Sequence, residues 1–282
     1  LYVTLSGGLD STTIAALVRE HIGEFVAITF ATKGTAPEES PHSDLFHARR
    51  VAAEFGVPFE VIEASSEDLL DTLDDVLVYG QDFRDFNVHC GMVNAALARA
   101  ISKRAGAEAS GRPCVLTGDT MNELVSDYTP VHYKDSDYYS LPGLPPARLR
   151  RFLVSGLDTG DREVGIFGHS EIDTIQPFAL CADAYTSLPA GFLNDERAKQ
   201  NLVKHVMGRK IPSFIYDRPK VRAQVGDSSE VGGTMAVLLD RGIGATELAE
   251  RFCELTGFDL PELKRWIRAG FYRFTTTYPE VN

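Results

Sequence analysis

The sequence SGGLDS at residues 6–11 lies between two patterns that predict a strand and a helix. Before it, residues 2–5 form a short apolar run typical of a buried strand, and after it an amphipathic segment runs from Thr12 to about His21. Its two glycines allow a tight turn in which backbone N–H groups approach a ligand, and the helix N-terminus adds a favourable dipole for phosphate. The sequence therefore predicts an anion-binding loop between a strand and a helix.

Asp10 is the unusual member of this loop, because a carboxylate repels phosphate unless a divalent cation lies between them. We therefore expect Asp10 to hold Mg²⁺, with the hydroxyls of Ser6 and Ser11 as additional donors to the bound anion. The loop lacks the Gly-Lys-Ser or Gly-Lys-Thr ending of a Walker A sequence. An ordinary strand-to-helix turn is the alternative, since Ser, Gly and Asp are common in turns.

The first 140 residues alternate between strand and helix patterns at the spacing of a parallel, doubly wound α/β sheet. From about residue 145 onward, helical periodicity dominates. We therefore predict an α/β half over residues 1–140 and a mostly helical half over 141–282, packed as one compact domain. The segment 130–146, rich in Tyr, Asp and Pro, predicts a surface loop, with a lid over the site as the alternative. The predicted strands are 2–5, 25–31, 58–64 and 114–117, and the predicted helices include 43–55, 67–79, 90–105, 196–208 and 245–256.

Composition excludes several classes of protein. The 282 residues carry a formal net charge of −12, whereas proteins that bind long nucleic acids usually present a basic face, so nucleic acid is not an expected partner. There is no run of about 18 apolar residues, which excludes a membrane span. The four cysteines are widely spaced without a CxxC pair, so we expect buried thiols in a reducing cytoplasm rather than a zinc site or disulfides.

SGGLDS is the signature of the PP-loop ATP pyrophosphatases, and the chain resembles that superfamily. Further stretches are similar to the synthetase domains of asparagine synthetase and β-lactam synthetase. Residues 116–124, LTGDTMNEL, resemble the family sequence LSGEGADEL, and the Arg-Pro-Lys at 218–220 resembles the family RxK that precedes a glycine. Asp85 and the helix after it resemble the segment FDVTTIRAS, and residues 199–212 fit the helix that leads to the family lysine.

The resemblance implies an adenine-nucleotide α-hydrolase-like fold and a reaction in which ATP is split into AMP and pyrophosphate as a substrate carboxyl is adenylated. Nitrogen from ammonia or an amine then accepts the acyl group. The implied catalytic residues are Lys220, which would neutralise charge on the α-phosphate and acyl oxygen, and Asp119, which would handle the proton of the incoming nitrogen. Asp10 and Asn122 would hold Mg²⁺. The implied ATP and pyrophosphate contacts are Leu5, Ser6, Gly7, Gly8, Asp10, Ser11, Phe30, Thr117 and Gly118.

Three departures from the family sequence lie where substrate choice is made. Asn122 replaces the second Mg²⁺-binding aspartate, so metal affinity should fall unless Glu123, Asp127 or the substrate compensates. Asp119 is one methylene shorter than the family glutamate, and Cys90 stands where the family has an arginine. We therefore expect a substrate other than aspartate. The residues predicted to contact this substrate are Asp85, Asn87, His89 and Glu123.

Simpler interpretations exist for three of these residues. Lys220 can be a solvated surface lysine, Asp119 a cap of the helix after the strand, and His89 a packed histidine. Only the residues around them favour the functional interpretation.

The nitrogen source is not visible in the sequence. The family's glutaminase is an N-terminal domain that begins with a catalytic cysteine, whereas the first cysteine here is Cys90. Because the chain starts at Leu1 within a strand-like run, we expect a tail or a domain to precede it. The nitrogen would then come from an N-terminal or separate glutaminase, from free ammonia, or from a substrate amine. Two other functions stay open, a PP-loop enzyme that modifies tRNA and an inactive relative that binds nucleotide.

Overall fold

The computed structural model contains seven short strands within its described part. The structure describes residues 1–33, 40–108, 111–127, 131–133, 136–138, 144–154, 162–195, 197–218, 220–221 and 233–268. The strands are β1 (Tyr2–Thr4), β2 (Val26–Thr32), β3 (Phe59–Ala64), β4 (Cys114–Leu116), β5 (Val131–Tyr133), β6 (Ser136–Tyr138) and β7 (Asp173–Ile175). Five of them form one sheet in the order β3-β2-β1-β4-β7, in which every pair is parallel. Strands β5 and β6 form a separate antiparallel pair.

Helices cover both faces of the parallel sheet. In the first half they are α1 (Leu9–His21), α2 (Asp44–Phe55), α3 (Ser66–Leu70), α4 (Leu73–Tyr79), α5 (Asp85–Glu108) and α6 (Met121–Val125). In the second half they are α7 (Pro146–Val154), α8 (Arg162–His169), α9 (Pro177–Leu180), α10 (Ala182–Thr186), α11 (Ala198–Met207), α12 (Ser213–Tyr216), α13 (Gly233–Asp240), α14 (Ala245–Thr256) and α15 (Leu260–Arg268). Two short 3₁₀ turns, Ala190–Asn194 and Gly208–Lys210, flank α11.

Helix α2 illustrates how the sequence sets the ends of an element. Ser43 is its N-cap, and the Ser43 hydroxyl oxygen accepts a hydrogen bond of 3.1 Å from the backbone N–H of Phe46. At the other end Gly56 has a φ of +67°, the left-handed conformation that glycine adopts without a steric penalty. The helix therefore begins and ends within one residue of the predicted range.

The strand order places the predicted anion loop at the centre of the sheet. From β1 the chain passes to β2 and β3 on one side, and it later adds β4 and β7 on the other side. The carboxyl ends of β1 and β4 are therefore neighbours at the point where the strand order reverses, which is where open α/β sheets bind ligands. This topology confirms the predicted doubly wound α/β fold with a helical second half.

The two faces of the sheet bury two different hydrophobic clusters. Val3 and Ala27 share one face and pack in a cluster that includes Ile215 of α12. Ile28 lies on the other face, in a cluster with residues of α5 and with Phe167 of α8. Because elements from both halves of the chain complete each cluster, the second half packs directly on the sheet that the first half builds. The division at about residue 140 stays a prediction.

Strand β7 is absent from the sequence-based prediction, which expected only helices there. Its three residues are too few to show a periodic pattern, and Asp173 and Ile175 are exposed at the edge of the sheet. Only pairing with β4 identifies it as a strand. The segment 130–146 was likewise predicted as a loop, and the β5–β6 pair lies inside it.

The helices of the described ranges include none that is long and apolar enough to cross a membrane. All four cysteines are free thiols. Their predicted burial is confirmed for Cys90 and Cys253, whereas Cys114 is half-buried and Cys181 is exposed.

Candidate active site

The predicted anion loop follows β1 and leads directly into α1. Gly7 has a φ of +67°, and a Cβ atom on this residue would lie 2.5 Å from the backbone nitrogen of Ala48 in α2. Both the conformation and the close approach exclude a larger residue. The loop is therefore held against α2, and its backbone reaches the N-terminus of α1 at Leu9.

Hydroxyl groups stabilise the shape of this loop. Ser11 Oγ accepts a hydrogen bond of 3.2 Å from the backbone N–H of Ser6, and the two side-chain oxygens lie 3.1 Å apart. The backbone N–H of Gly8 donates to Ser6 Oγ at 3.3 Å. Asp10 lies in the first turn of α1, beside the N–H groups that a helix leaves without partners of its own. The loop thus combines hydroxyls, backbone donors and one carboxylate.

A second loop follows β4 and touches the first one. Gly118 lies so close to α1 that an added Cβ would be 2.7 Å from the backbone nitrogen of Ser11. Thr120, at the N-cap of α6, has a φ of +76°, which is an uncommon conformation for threonine and is found most often at functional sites. Asn122 lies in the first turn of α6. The two loops together form one surface at the carboxyl edge of the sheet.

Two lysines from the second half of the chain converge on these loops. Lys199 of α11 donates from Nζ to Asp10 Oδ2 at 2.5 Å and to Asn122 Oδ1 at 2.9 Å. Its Nζ also lies 3.0 Å from Asp127 Oδ2. Lys220 Nζ donates to the same Asn122 oxygen at 2.8 Å and lies 2.9 Å from the same Asp127 oxygen. We call these five residues the lysine–carboxylate cluster.

Burial and charge oppose each other within this cluster. Burial lowers the pKa of Lys199, whose side chain is 6% exposed, but Asp10 and Asp127 outweigh burial and raise this pKa. Burial raises the pKa of Asp127, but the ammonium groups of Lys199 and Lys220 outweigh it and lower this pKa to about 2. For Lys220, burial and then the charge of Lys199 lower the pKa to about 8. At neutral pH both lysines therefore carry a charge and Asp127 is ionised.

Asp119, the predicted base, is held by a cation that the sequence analysis did not identify. Arg162, the first residue of α8, donates from Nη2 to Asp119 Oδ2 at 2.7 Å. Its Nη1 donates to Asn87 Oδ1 at 3.3 Å. The Arg162 side chain is 13% exposed and that of Asp119 is 36% exposed, so the pair lies at a boundary between protein and solvent.

The next residue of α8, Glu163, is buried, and three neutral side chains of the described ranges donate hydrogen bonds to it. Thr117 Oγ1 and Gln176 Nε2 donate to Glu163 Oε2 at 2.6 Å and 2.9 Å. Asn94 Nδ2 donates to Glu163 Oε1 at 2.8 Å. The hydroxyl of Thr117, which was predicted to contact nucleotide, is therefore directed to Glu163. The network joins the ends of β4 and β7 to helices α5 and α8.

These groups line one cavity with a volume of about 220 Å³. From the first loop, the predicted residues that line it are Ser6, Gly8, Asp10 and Ser11. From the second loop they are Gly118, Asp119, Asn122 and Glu123. Lys220 also lines it. Residues from four separate parts of the chain thus meet around one space.

Three predicted nucleotide contacts lie behind this surface. Leu5 and Thr117 are each 1% exposed and lie at the ends of β1 and β4. Phe30 in β2 is partly buried in hydrophobic packing. Their side chains support the loops, and backbone contact with a nucleotide stays a prediction for Leu5 and Phe30.

The three predicted substrate residues on α5 are not among the described residues that line the cavity. One face of the helix, with Phe86, Cys90 and Val93, lines the space, and the helical period directs residues 85, 87 and 89 elsewhere. Asp85 Oδ1 accepts a hydrogen bond of 2.7 Å from the N–H of Phe86. His89 is buried, and burial lowers its pKa to about 3, so it is neutral. Asn87 is connected to the site through its hydrogen bond with Arg162.

The structure adds residues to which the sequence analysis gave no role. Lys199 stands at the start of the segment that resembles the family helix, and this was the signal that could have identified it. Arg218 precedes the Pro-Lys pair; its Nη1 donates to the backbone oxygen of Ser6 at 2.9 Å, and it forms an ion pair with Asp44. For Arg162 and Glu163 no signal was present, because helix α8 itself was not predicted.

The donor groups around Asp10 fit a magnesium ion that arrives with a nucleotide. Among the described residues there is no group of three or more His, Cys, Asp or Glu side chains that could hold a metal ion. Asp10 Oδ1, however, is buried and has no hydrogen-bond partner there, while Oδ2 accepts from Lys199. Mg²⁺ at nucleotide sites typically takes one or two protein carboxylates, with phosphate oxygens and water as further ligands. Asp10 Oδ1 matches this pattern as an available protein ligand, whereas Asn122 Oδ1 already accepts hydrogen bonds from Lys199 and Lys220.

A strand, an SGGLDS loop and a helix N-terminus at the switch point of a parallel sheet define a PP-loop ATP pyrophosphatase, and the chain is a member of that superfamily. It matches the family described as asparagine synthase over residues 1–160, and it belongs to this family. Members of this family use ATP, and the family is one of ATP-dependent synthetases of the PP-loop type.

The chain is also similar to a protein with a different activity in the same superfamily. It is 35% identical over 77 residues to the tRNA-specific 2-thiouridylase MnmA of Geobacter metallireducens (strain ATCC 53774 / DSM 7210 / GS-15). These residues are 24% of this chain and 21% of that protein. The chain therefore spans about a fifth of the length of this relative.

Proposed function

We propose that this protein adenylates the carboxyl group of a small molecule, releases pyrophosphate, and transfers the acyl group to ammonia or an amine. One observation carries the proposal. The SGGLDS loop, the second loop and two lysine ammonium groups converge within hydrogen-bonding distance around a single cavity. This arrangement brings phosphate donors, positive charge and carboxylates together, as a reaction requires that builds negative charge on phosphate and acyl oxygens.

The first loop and the two lysines would bind the departing pyrophosphate. The hydroxyls of Ser6 and Ser11 and the backbone N–H groups of the loop can donate to phosphate oxygens. Lys199 and Lys220 are positioned by Asn122 and Asp127, so their charges are preorganised before the reaction. Fixed charges in a partly buried site stabilise a transition state better than mobile solvent does.

Asp10 would hold Mg²⁺ through Oδ1, and Asn122 would join it as a ligand only where a lysine leaves Asn122 Oδ1 for a phosphate oxygen. When bound, the ion would screen the carboxylate of Asp10 from the phosphates and withdraw charge from their oxygens. Asn122 supplies an oxygen without a charge. Its Oδ1 also accepts hydrogen bonds from both lysines, so it contributes to the position of the two ammonium groups.

Asp119 would accept the proton of the attacking nitrogen. It lines the cavity and is more exposed than its partner Arg162, so a substrate can reach its carboxylate. The ion pair with Arg162 keeps the carboxylate oriented. Small-molecule substrates agree with the family, and the reducing cytoplasm stays the predicted location.

The proposal is tested by the products that form from Mg-ATP with a panel of carboxylic acids and amino acids, each with ammonium or an amine. We expect AMP and pyrophosphate in amounts that depend on one class of acid, and an amide as the second product. ADP and phosphate would contradict the proposal, because the bond between the α- and β-phosphates would then stay intact.

Two observations favour other functions. Similarity to a tRNA-specific 2-thiouridylase favours sulfur transfer to tRNA, which the net charge of −12 opposes. Asn122 in place of a metal-binding aspartate favours a relative that binds nucleotide without turnover. A thiolated tRNA in the presence of ATP and a sulfur donor would support the first alternative. Tight ATP binding without AMP formation under any condition would support the second.

A further inference from the structure

One point in the lysine–carboxylate cluster is surrounded by three oxygen atoms from three side chains. Lys199 Nζ lies at this point, 2.5 Å from Asp10 Oδ2, 2.9 Å from Asn122 Oδ1 and 3.0 Å from Asp127 Oδ2. Two of these oxygens belong to carboxylates and the third belongs to an amide. Carboxylate and amide oxygens are also the ligands that Mg²⁺ and similar divalent cations take from proteins. The ammonium of Lys199 is therefore a monovalent cation within a set of ligands that suits a divalent one.

Asp127 supplies the negative charge that the amide of Asn122 lacks. Its backbone N–H donates to the Asn122 backbone oxygen at 3.0 Å, so the end of α6 holds the two residues together. Their side-chain oxygens contact the same two ammonium groups, those of Lys199 and Lys220. The side chains of Asp10 and Asp127 are 18% and 26% exposed, and both residues line the cavity. An ion in the cavity can therefore reach both carboxylates.

Lys199 is the cation that lies between Asp10 and Asp127. Within the described ranges Asp10 forms an ion pair with Lys199 alone, whereas Asp127 also pairs with Lys220. A divalent ion and this ammonium cannot share the same oxygens, because the two positive charges repel each other. Lys199 lines the cavity together with the SGGLDS loop, and a lysine ammonium is a point charge on a flexible four-carbon chain. It can therefore move from the carboxylates to a phosphate at the loop.

We propose that Asp10, Asn122 and Asp127 form a divalent-cation site, and that Lys199 occupies this site as an internal counter-ion until a phosphate draws its ammonium away. Asp127 is then a metal ligand, and Lys199 makes the binding of the metal depend on the phosphate. The coupling is reciprocal, so the metal also tightens the binding of the phosphate. This inference rests on the proposed function, because it concerns the metal and the pyrophosphate of the same cavity.

The first test is the binding of Mn²⁺, a paramagnetic substitute for Mg²⁺, measured by water-proton relaxation without nucleotide or turnover. We expect Lys199→Met to bind Mn²⁺ at least about tenfold more tightly than the original chain, because the competing ammonium has been removed. Lys204→Met, at an exposed lysine of the same helix, is the matched control and should leave the affinity unchanged. Equal Mn²⁺ affinity in a folded Lys199→Met protein and in the original chain would overturn the proposal.

Thermal unfolding of the same variant gives a readout that a purely structural ion pair would not change. Saturating Mn²⁺ should raise the unfolding temperature of Lys199→Met, because a ligand that binds the folded chain stabilises it. The original chain and Lys204→Met should show much smaller shifts. A Lys199→Met protein that folds only with Mn²⁺ present would support the proposal, and a folded one whose unfolding temperature does not respond to Mn²⁺ would contradict it.

Asp127→Asn tests the added ligand with Lys199 in place, and it serves as the second variant if Lys199→Met does not fold. With inorganic pyrophosphate present, we expect this variant to bind Mn²⁺ about tenfold more weakly than the original chain, because a carboxylate ligand is lost. Without metal, pyrophosphate should bind the variant at least as tightly, since a carboxylate that repels it is gone. Asp217→Asn, at an exposed carboxylate, is the control. Unchanged Mn²⁺ affinity in a folded Asp127→Asn protein would remove Asp127 from the site.

Failure of this inference and failure of the proposed function give different results. If Lys199→Met gains Mn²⁺ affinity but the original chain forms no AMP from any acid, the cation site stands and the proposed function is wrong. If the original chain forms AMP and pyrophosphate but a folded Lys199→Met protein gains no Mn²⁺ affinity, the proposed function stands and the inference is wrong.

Discussion

The two halves of the chain contribute opposite charges to one cavity. Among the described residues that line it, every Lys and Arg comes from the second half, at positions 162, 199, 218 and 220. Four of the five carboxylates come from the first half, at positions 10, 119, 123 and 127. The first half supplies the loops and most of the anions, and the second half supplies the cations. Without the lysines, the loops would present carboxylates to a polyphosphate, so we expect its binding to need both halves.

This difference explains why the site could be found in one half more easily than in the other. Backbone N–H groups and glycines at the end of a strand form a local motif that neighbouring residues determine. A cation has no such local requirement, since any lysine on a helix that packs at the right place will serve. Four predictions test whether the cations of the second half carry the chemistry and the stability of the site.

The largest expected effect is the loss of turnover in Lys220→Ala. Removal of a fixed charge next to the reacting phosphate should lower the rate by about 100-fold or more. The fold should persist, because the side chain is 25% exposed. The measurement is substrate-dependent release of pyrophosphate, with thermal unfolding as the check on folding. Lys210→Ala, at an exposed lysine of the same half, is the control, and turnover equal to the original chain would remove Lys220 from the mechanism.

The next effect is a loss of stability in Lys199→Met. Its buried ammonium pairs with Asp10 and Asp127, so its removal leaves Asp10 without this counter-ion and Asp127 with Lys220 alone. Breaking a buried ion pair on one side typically costs about 3 kcal/mol of unfolding free energy, which urea denaturation measures. Lys204→Met, on the exposed side of the same helix, should change stability by much less. If both variants unfold at the same urea concentration, the lysine–carboxylate cluster does not stabilise the contact between the two halves.

A smaller effect is expected from pH. The pKa of Lys220 is lowered to about 8 from its ordinary value of 10.5, so the folded protein loses this proton, and with it the charge, as pH rises through 8. Turnover should therefore fall about tenfold for each pH unit above that value. Between pH 8 and 10.5 the unfolded chain binds the proton that the folded chain does not, so this group alone makes stability rise with pH.

The control for the pH profile is Lys220→Arg. A guanidinium stays charged throughout this range, so the descending limb near pH 8 should disappear from whatever activity remains. If the limb persists unchanged in this variant, another group is responsible for it.

The smallest effect is expected from Asn122→Asp, which adds an anion where two lysines already donate. Hydrogen bonds to a charged acceptor are stronger, so the unfolding free energy should rise by about 1 kcal/mol. The Mg²⁺ concentration for half-maximal turnover should fall severalfold, because a carboxylate binds the ion better than an amide. Asn194→Asp at an exposed position is the control. No change in either quantity would mean that the amide of Asn122 limits neither the stability of the protein nor its affinity for Mg²⁺.

Much of the first half was predictable from local patterns. Strands β1 to β4 lie within a residue or two of the predicted ranges, since each is an apolar run bounded by turn residues. Eight of the nine loop residues that were predicted from Ser6 to Ser11 and from Gly118 to Glu123 line the cavity directly, and so does Lys220. The prediction of substrate residues on α5 was less accurate. The family resemblance located the start of this helix, but it did not indicate which face of the helix lines the cavity.

The sequence by itself determined the anion loop, the parallel sheet and the position of the loop at the carboxyl edge. These features depend on interactions between residues close along the chain, such as glycine conformations, helix caps and strand periodicity. Only the tertiary structure decided which cations complete the site and which carboxylates they contact. The reason is physical: Lys199 is 189 positions away from Asp10 and Arg162 is 43 positions away from Asp119. Contacts over such separations arise from how α8 and α11 pack on the sheet, and local sequence does not encode that packing.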